Sequence, residues 1–379
     1  MISRLHVDNY RCLVNLDLPL GARQLVLGGN GSGKSSVLDV LWSLRRFVVD
    51  DVDVSAAFPA ATLTRWTSRR IQTFELDLRA DTGTYHYRLL VEHDDDSARA
   101  RVREESLHLD GGPLYLSNLG DAQLYRDDHS KGPPLKVDWR RSGVGLLTQS
   151  KDNKKLTTFR TLMAAVTVCS PDPRSMRSST QASDSLTGPG RQLEAITGWY
   201  RQLVQRAPEV TEAARDQLRE ILPGFRQLRV DRDPEESLVV EWDCEPNPAA
   251  SARYQVKFDE LSDGQRCLIA LYMLLEQWSQ EGGTLFIDEP ENYLMLGELQ
   301  PWMHATTDRV DDAHQILVIS HHPEWLDAWA VPSGIHLRRE AGSYTRWAPF
   351  EVSADSDLSP SELIARGWAP SGRGNHEKG

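Results

Sequence analysis

The chain has 379 residues, and its 55 acidic residues outnumber its 43 lysines and arginines, which gives a formal net charge of −12. This length can bury one large core or two moderate ones, and the acidic balance argues against attraction to nucleic acid over the whole surface. The four cysteines form no Cys-x-x-Cys pair, and no apolar run approaches the ~20 residues of a transmembrane helix. We therefore expect a cytoplasmic protein with reduced thiols, no zinc site and no contact with a membrane.

A phosphate-binding loop is predicted close to the start of the chain. A short strand, residues 24–27, leads into residues 28–35, which read GGNGSGKS and match the complete Walker A motif, and a helix follows. Glycines in such a loop let backbone N–H groups point at phosphate oxygens, and the positive end of the helix dipole faces the same phosphates. Lys34 is expected to reach the β- and γ-phosphates of ATP, and the Ser35 hydroxyl to bind Mg²⁺. The predicted ATP-binding residues are Asn30, Gly31, Ser32, Gly33, Lys34, Ser35 and Ser36.

The first section of the chain, residues 1–112, is predicted to hold one half of an α/β head with an antiparallel β lobe. Strand patterns at residues 74–78 and 85–92 flank the turn residues 81–83. Two strand patterns joined by a short glycine-containing turn are typical of a β-hairpin.

The next section, residues 113–225, is predicted to interrupt the head with a mainly helical insertion. Its apolar residues recur at helical spacing over residues 191–222, with a break near Pro208. Even an unbroken helix over that range would span only about 48 Å. We therefore expect no long coiled coil.

Basic residues are concentrated in this insertion. Between Lys131 and Arg177 there are ten lysines and arginines against three aspartates, although the whole chain is acidic. A local basic surface allows an acidic protein to hold a phosphate backbone. We therefore expect Lys151, Lys154 and Lys155 to contact DNA or RNA; the alternative is a well-solvated insertion without such a contact.

The remaining sections are predicted to complete the head over residues 226–350 and to form a C-terminal tail over residues 351–379. An apolar strand, residues 284–287, ends in Asp288 and Glu289. Open α/β sheets place ligands at the carboxyl ends of their strands. Asp288 is therefore expected to bind Mg²⁺, and Glu289 to activate the attacking water as general base.

Two more patterns belong to this second half of the head. Ser262 and Asp263 can cap a helix predicted over residues 266–280. A second apolar strand, residues 316–319, is followed by Ser320 and His321. His321 is expected to sense the γ-phosphate and to help hold the attacking water.

In this order, the motifs resemble those of ABC-type ATPases of the SMC/RecF/OLD branch. The motifs are residues 28–35, Leu261-Ser262-Asp263-Gly264-Gln265, Asp288-Glu289, His321 and the opening segment Asn9-Tyr10-Arg11. Compact bacterial RecF-like and OLD-like ATPases are the most similar group, and many of these serve in anti-phage defence modules of the Septu or retron type. The resemblance implies an α/β fold, namely an ABC-type P-loop ATPase head with a mixed sheet core and an antiparallel β lobe.

The resemblance also assigns roles to residues. The signature motif, which in ABC-type ATPases covers the γ-phosphate bound by a second subunit, would consist of Ser262, Asp263, Gly264 and Gln265. Arg11 would lie near the nucleotide. Gln72 is the best candidate for a Mg²⁺-binding glutamine, with a solvated glutamine at a strand edge as the equal alternative. Residues 292–295 lack the histidines that the family carries there, which leaves their contact with the partner subunit open.

The implied function is that of an ATPase that forms a homodimer on binding ATP and gates a separate effector, a nuclease or toxin from the same operon, in an anti-phage defence complex. The alternative is a RecF-like DNA-binding ATPase of recombination or repair. An ABC ATPase with a translation or transport partner fits less well, because one set of motifs exists and transporter ATPases lack the Asn-Tyr-Arg opening. The residues after His322 are too few for the Toprim nuclease domain of full OLD proteins, so we expect no nuclease site in this sequence.

Overall fold

The computed structural model describes residues 1–94, 99–179, 188–232, 236–243, 253–352 and 357–367. The chain divides into two compact units. The first unit comprises Met1–Thr167, Gly283–Phe286 and Gln315–Gly379, and the second unit comprises Val168–Gly282 and Ile287–His314.

The described residues form both strands and helices. The strands are β1 (Ile2–Asp8), β2 (Leu16–Pro19), β3 (Arg23–Leu27), β4 (Ile71–Ala80), β5 (Gly83–His93), β6 (Ala100–Leu109), β7 (Gly112–Asn118), β8 (Asp121–Tyr125), β9 (Lys131–Lys136), β10 (Val166–Cys169), β11 (Phe225–Asp231), β12 (Ser237–Asp243), β13 (Arg253–Lys257), β14 (Gly283–Asp288), β15 (His314–Ile319), β16 (Gly334–Arg338) and β17 (Arg346–Pro349). The helices are α1 (Lys34–Val49), α2 (Val54–Ala57), α3 (Gly143–Leu146), α4 (Lys154–Ala164), α5 (Ile196–Arg206), α6 (Pro208–Ile221), α7 (Asp263–Glu281), α8 (Leu296–Asp308), α9 (Pro323–Ser333) and α10 (Pro360–Ala365). None of these helices is long and apolar enough to cross a membrane.

An eight-stranded antiparallel sheet forms the β lobe of the first unit, in the order β2-β1-β4-β5-β6-β7-β8-β9. The predicted hairpin is confirmed, since Ala80 of β4 pairs with Gly83 of β5. Buried and half-buried residues alternate along β4, as expected for a strand with one face in the core. Its inward side chains include Phe74 and Leu76, both fully buried.

The β lobe extends beyond the boundary predicted at residue 112. β7, β8 and β9 carry the same sheet to Lys136, so residues 113–136 are not part of a helical insertion. The sequence hides this extension because β9 contains Pro133 and Pro134, which weaken any strand pattern. Proline is tolerated in this position since β9 is the edge strand of the sheet.

A six-stranded mixed sheet carries the phosphate-binding loop, in the order β10-β14-β15-β3-β16-β17. β3 lies between β15 and β16 and is parallel to both. β17 closes the edge and is antiparallel to β16. The mixed sheet core expected for an ABC-type head is therefore confirmed, and the carboxyl ends of β3 and β15 lie at the same edge of the sheet.

Helices and a small sheet make up the second unit. α5 and α6 are separate helices that meet at Pro208, as predicted, and α6 packs on α7. At 11 and 14 residues they are far too short for a long coiled coil. β11, β12 and β13 form an antiparallel sheet beside them.

The C-terminal tail contains one helix among the described residues, α10, in which Ser359 and Glu362 cap each other's backbone. The polar run over residues 371–379 and Cys244 lie outside the described residues. The other cysteines (Cys12, Cys169 and Cys267) are buried free thiols.

Candidate nucleotide-binding site

The Walker A loop has a backbone that only glycines adopt readily. Gly28, Gly31 and Gly33 have φ angles of 149°, 78° and 106°, in the left-handed region. A Cβ on Gly28 would lie 2.3 Å from the Leu337 carbonyl oxygen, and one on Gly33 would lie 2.7 Å from Thr345 Oγ1. A Cβ on Gly31 would meet no atom within 4 Å. The loop is thus closely packed at Gly28 and Gly33 and open at Gly31.

Lys34 points its ammonium group into the loop. Lys34 Nζ donates to the Gly28 carbonyl at 2.6 Å and to the Gly29 carbonyl at 3.3 Å. The side chain is buried, whereas Ser35 at the start of α1 is exposed. Because α1 begins here and runs for 16 residues, its N-terminal N–H groups and its positive dipole end lie at the loop.

The Ser32 hydroxyl provides a test of whether these residues fit a nucleotide. Ser32 is 4% exposed, and its Oγ has no hydrogen-bond partner among the described residues. A buried hydroxyl without a partner costs free energy, so native structures seldom leave one. A phosphate oxygen in the loop would supply the missing partner. The loop, its lysine and this hydroxyl therefore fit a bound polyphosphate.

Residues distant in sequence hold the loop in place, and sequence reasoning missed them. Thr345 Oγ1 donates to the Ser32 carbonyl at 2.8 Å, and Thr345 N donates to the Cys12 carbonyl at 2.9 Å. Arg339 Nη1 donates to the Gly31 carbonyl at 3.2 Å. Both residues follow the end of β16 and match no motif, so nothing in the sequence marks them.

Arg11 lies against the helix that follows the loop. It has a φ angle of 48°, and its guanidinium forms an ion pair with Asp39 on α1. Its side chain is 46% exposed, compared with 12% for Asp39. The structure thus ties the opening segment to the Walker A helix. A direct contact of Arg11 with nucleotide stays a prediction.

Gln72 does not occupy the position expected of it. The side chain is fully buried, because the alternation along β4 turns it inward with Phe74. Its Nε2 donates to the Asn9 carbonyl at 3.0 Å and to Thr62 Oγ1 at 3.2 Å, while Oε1 lies 2.9 Å from His93 Nε2. Burial lowers the pKa of His93 to about 4. Gln72 is therefore neither a solvated strand-edge residue nor available to a metal ion without breaking this network.

The two predicted acidic residues stand at the end of β14. Asp288 is the last residue of the strand, and Glu289 follows with a left-handed φ of 48°. Glu289 Oε2 accepts a hydrogen bond from Asn292 Nδ2 at 2.8 Å. An unfavourable backbone conformation at a non-glycine residue is characteristic of functional sites. The roles of Asp288 and Glu289 stay predictions, and Asn292, one of the positions that departs from the family pattern, gains a contact with the predicted base.

The neighbouring histidines after β15 differ in their surroundings. His322 caps α9, since its Nδ1 accepts a hydrogen bond from Glu324 N at 3.3 Å. His321 is exposed. Ile319 at the end of β15 pairs in register with Val26, so His321 and the Walker A loop both follow the carboxyl ends of adjacent parallel strands. This is the edge where open α/β sheets bind ligands, although the role of His321 stays a prediction.

The predicted signature residues form a capped helix start in the second unit. Ser262 Oγ accepts from Gln265 N at 3.2 Å, and Gln265 Oε1 accepts from Ser262 N at 3.1 Å, which is a complete capping box. Asp263 forms an ion pair with Arg266 one turn later. A Cβ on Gly264 would lie 2.8 Å from the Tyr293 carbonyl oxygen, so a glycine is needed there. The helix is longer at both ends than the predicted range.

The candidate nucleic-acid lysines gather at the start of α4. Lys154 N and Lys155 N both donate to the Asp127 carboxylate, at 3.1 and 2.9 Å. Lys151 and Lys154 are exposed, and no carboxylate of the described residues pairs with their ammonium groups. Other cations of the stretch are paired with carboxylates: Lys136 with Asp121, Arg140 with Asp138 and Arg141 with Asp51.

Known proteins share both sequence and fold with the chain. No family model matches it. It is similar to the OLD nuclease of Thermus scotoductus, with 25% identity over 359 residues that cover 86% of this chain and 60% of that protein. The chain thus spans about three-fifths of the length of this relative.

Solved structures of SMC heads resemble the chain. One is an SMC head bound to the C-winged helix domain of ScpA, with a TM-score of 0.53, 14% identity and coverage of 92% of this chain and 98% of that chain. Another is an SMC head with an extended coiled coil, bound to the C-terminal domain of ScpA derived from Pyrococcus furiosus, with a TM-score of 0.50, 11% identity and coverage of 96% and 98%. These likenesses confirm the resemblance to ABC-type ATPases of the SMC/OLD branch, whose head fold this chain has.

Proposed function

We propose that the protein binds and hydrolyses ATP with Mg²⁺ and that ATP closes a homodimer, whose state gates a separate effector in an anti-phage defence complex. The observation that carries the first step is the Walker A loop, where Lys34 Nζ donates to the Gly28 and Gly29 carbonyls and the buried Ser32 Oγ has no hydrogen-bond partner among the described residues. The OLD and SMC likenesses support ATP as the nucleotide.

The chain's own residues suit the separate tasks of ATP hydrolysis. The Walker A N–H groups and Lys34 hold the phosphates. Ser35 and Asp288 would hold Mg²⁺, which would neutralise the charge that develops on the phosphates. Glu289 takes a proton from the attacking water as general base, held in orientation by Asn292. His321, two residues beyond β15, senses the γ-phosphate and helps to hold that water.

Dimerisation follows from the signature helix. In the proposed dimer, the N–H groups at the start of α7 in one subunit meet the γ-phosphate bound by Lys34 of the other. The capping box supports this role because Ser262 and Gln265 hold the helix start in one conformation. γ-Phosphate then bridges the subunits, and hydrolysis releases them.

The oligomeric state with ATP tests this proposal. Glu289→Gln removes the base but keeps the binding residues, so saturating ATP and Mg²⁺ should accumulate a dimer, measured by multi-angle light scattering. Lys34→Ala should prevent it. A Glu289→Gln protein that stays monomeric at saturating ATP would rule out the composite site for the isolated protein.

A second variant separates the signature contact from helix stability. Ser262→Ala in the Glu289→Gln background should abolish the ATP-dependent dimer, and the lost cap should cost about 1 kcal/mol of folding free energy. Ser359→Ala removes the equivalent cap of α10 and is the matched control. It should leave the dimer intact. Equal losses in both variants would assign Ser262 to helix capping alone.

A RecF-like ATPase that binds DNA in recombination or repair is the second candidate. The observation in its favour is the group of Lys151, Lys154 and Lys155 around the start of α4. Lys151 and Lys154 are exposed, Lys155 is half-buried, and none of the three forms an ion pair among the described residues. Lysines of this kind neutralise backbone phosphates without reading sequence.

A further inference from the structure

A tryptophan and an arginine meet beside the open side of the Walker A loop. Trp66 lies in the loop that precedes β4 and is 39% exposed. The guanidinium carbon of Arg339 lies 4.9 Å from the centre of the Trp66 ring. The same guanidinium donates to the Gly31 carbonyl, so Arg339 links Trp66 to the phosphate loop.

Hydrogen bonds orient the Arg339 side chain and anchor the loop that bears Trp66. Arg339 Nε donates to the Ser343 carbonyl at 2.9 Å, which orients the guanidinium. The loop that bears Trp66 is anchored where Arg11 N donates to the Thr62 carbonyl at 2.6 Å. A large aromatic ring is thus held at the surface next to a ligand loop, where it adds little to the core.

We propose that Trp66 and Arg339 form the base-binding edge of the nucleotide site, an inference that rests on ATP binding at the Walker A loop. A purine presents a π face that stacks on an indole ring or on a guanidinium plane. The Walker A residues contact phosphates and so hold any nucleoside triphosphate alike. The Trp66–Arg339 pair adds the part of the ATP affinity that comes from contacts with the base.

Binding of ATP and of inorganic tripolyphosphate, which has no base, separates the two contributions. By calorimetry, Trp66→Ala should weaken ATP binding by about tenfold, within the range for loss of one stacked base. The affinity for tripolyphosphate should not change. Trp66→Phe keeps a π face and should restore most of the ATP affinity. Trp139→Ala, at another exposed tryptophan, is the matched control and should alter neither affinity.

The outcomes distinguish this inference from the proposed function. If Trp66→Ala weakens both ligands equally, Trp66 only holds the loop, and the inference is overturned; unchanged ATP binding overturns it as well. Lys34→Ala should weaken both ligands. Should Lys34→Ala bind ATP like the wild type, the Walker A assignment itself fails, whatever Trp66 does.

Discussion

Among single residues, the buried Glu105 of β6 shows how a polar side chain holds a neighbouring loop, residues 142–143, in place. Glu105 is 1% exposed and accepts hydrogen bonds from the Tyr87 hydroxyl at 2.9 Å, Ser142 Oγ at 2.5 Å and Gly143 N at 2.7 Å. A Cβ on Gly143 would lie only 1.8 Å from the Tyr115 hydroxyl, so the loop packs tightly there. Burial raises the pKa of Glu105, because desolvation outweighs these hydrogen bonds.

We expect Glu105→Gln to lower the free energy of unfolding by about 1–3 kcal/mol, since an amide cannot accept from all three donors and leaves a buried group unpaired. The folded-state pKa lies above that of the unfolded chain, so the contribution of wild-type Glu105 is full at low pH and is lost as the pH rises through the folded pKa. The deficit of the variant should therefore be larger near pH ~5 than near pH ~8. Urea unfolding at both pH values measures it.

Glu104→Gln is the matched control for this prediction. Glu104 is on the other face of β6 and forms a partly exposed ion pair with Arg88. Such pairs contribute about 0–1 kcal/mol. A deficit of Glu105→Gln that grows with pH would contradict the direction of the pKa shift.

At the scale of elements, the candidate nucleotide-binding motifs lie at the N-terminal ends of helices. α1 begins in the Walker A loop, and α7 begins in a capping box at the predicted signature motif. α4 differs, because the carboxylate of Asp127 already caps its first N–H groups. Any phosphate contact at α4 must therefore come from lysine side chains and not from the helix end.

We expect neutralisation of Lys151, Lys154 and Lys155 to glutamine to weaken DNA and RNA binding without regard to sequence. Loss of three phosphate contacts should also reduce the slope of log affinity against log salt concentration by about 2–3. Titrations at roughly 50 and 200 mM salt, the range in which phosphate contacts show their effect, measure both changes. Basal ATP hydrolysis should stay near the wild-type rate.

The same segment supplies a charge-matched control. Glutamine at Lys136, Arg140 and Arg141 removes three cations that pair with Asp121, Asp138 and Asp51. This variant should lose less affinity than the first. If both variants bind as wild type does, the basic segment is a solvated surface without a nucleic-acid role.

For the whole molecule, the comparisons show an SMC-like head fold and a likeness to an OLD nuclease. The chain spans about three-fifths of the OLD nuclease that it resembles, and the similar SMC heads were solved with ScpA domains bound. An ATP-dependent dimer can act on a bound partner only if the partner binds one of its two states better. In the proposed function, this partner is an effector on another chain.

We expect the purified protein to hydrolyse ATP slowly and to leave DNA and RNA intact. Co-expression with the adjacent genes of its operon should recover a nuclease or toxin subunit. The amount of this subunit that binds should differ between Glu289→Gln with ATP, which accumulates the dimer, and Lys34→Ala, which does not form it. Gel assays and affinity purification measure these outcomes. Metal-dependent cleavage by the lone chain that persists in Lys34→Ala would show that the effector site lies in this chain.

Local patterns were enough to predict the Walker A loop, the β4–β5 hairpin, the break at Pro208 and the α7 cap, because short-range backbone geometry and capping determine each of them. Only the tertiary structure decided which side chains surround the loop. Thr345 and Arg339 reach it from a connection more than 300 positions away in sequence.

The same distinction explains the errors. Gln72 was expected to bind Mg²⁺ or to be a solvated strand-edge residue, but Asn9, Thr62 and His93 satisfy its side chain inside the core. Residues 131–136 belong to the predicted insertion, but their pairing with β8 makes them strand β9 of the β lobe. A sequence states which groups a residue carries, whereas burial and strand pairing depend on segments that come together only when the chain folds.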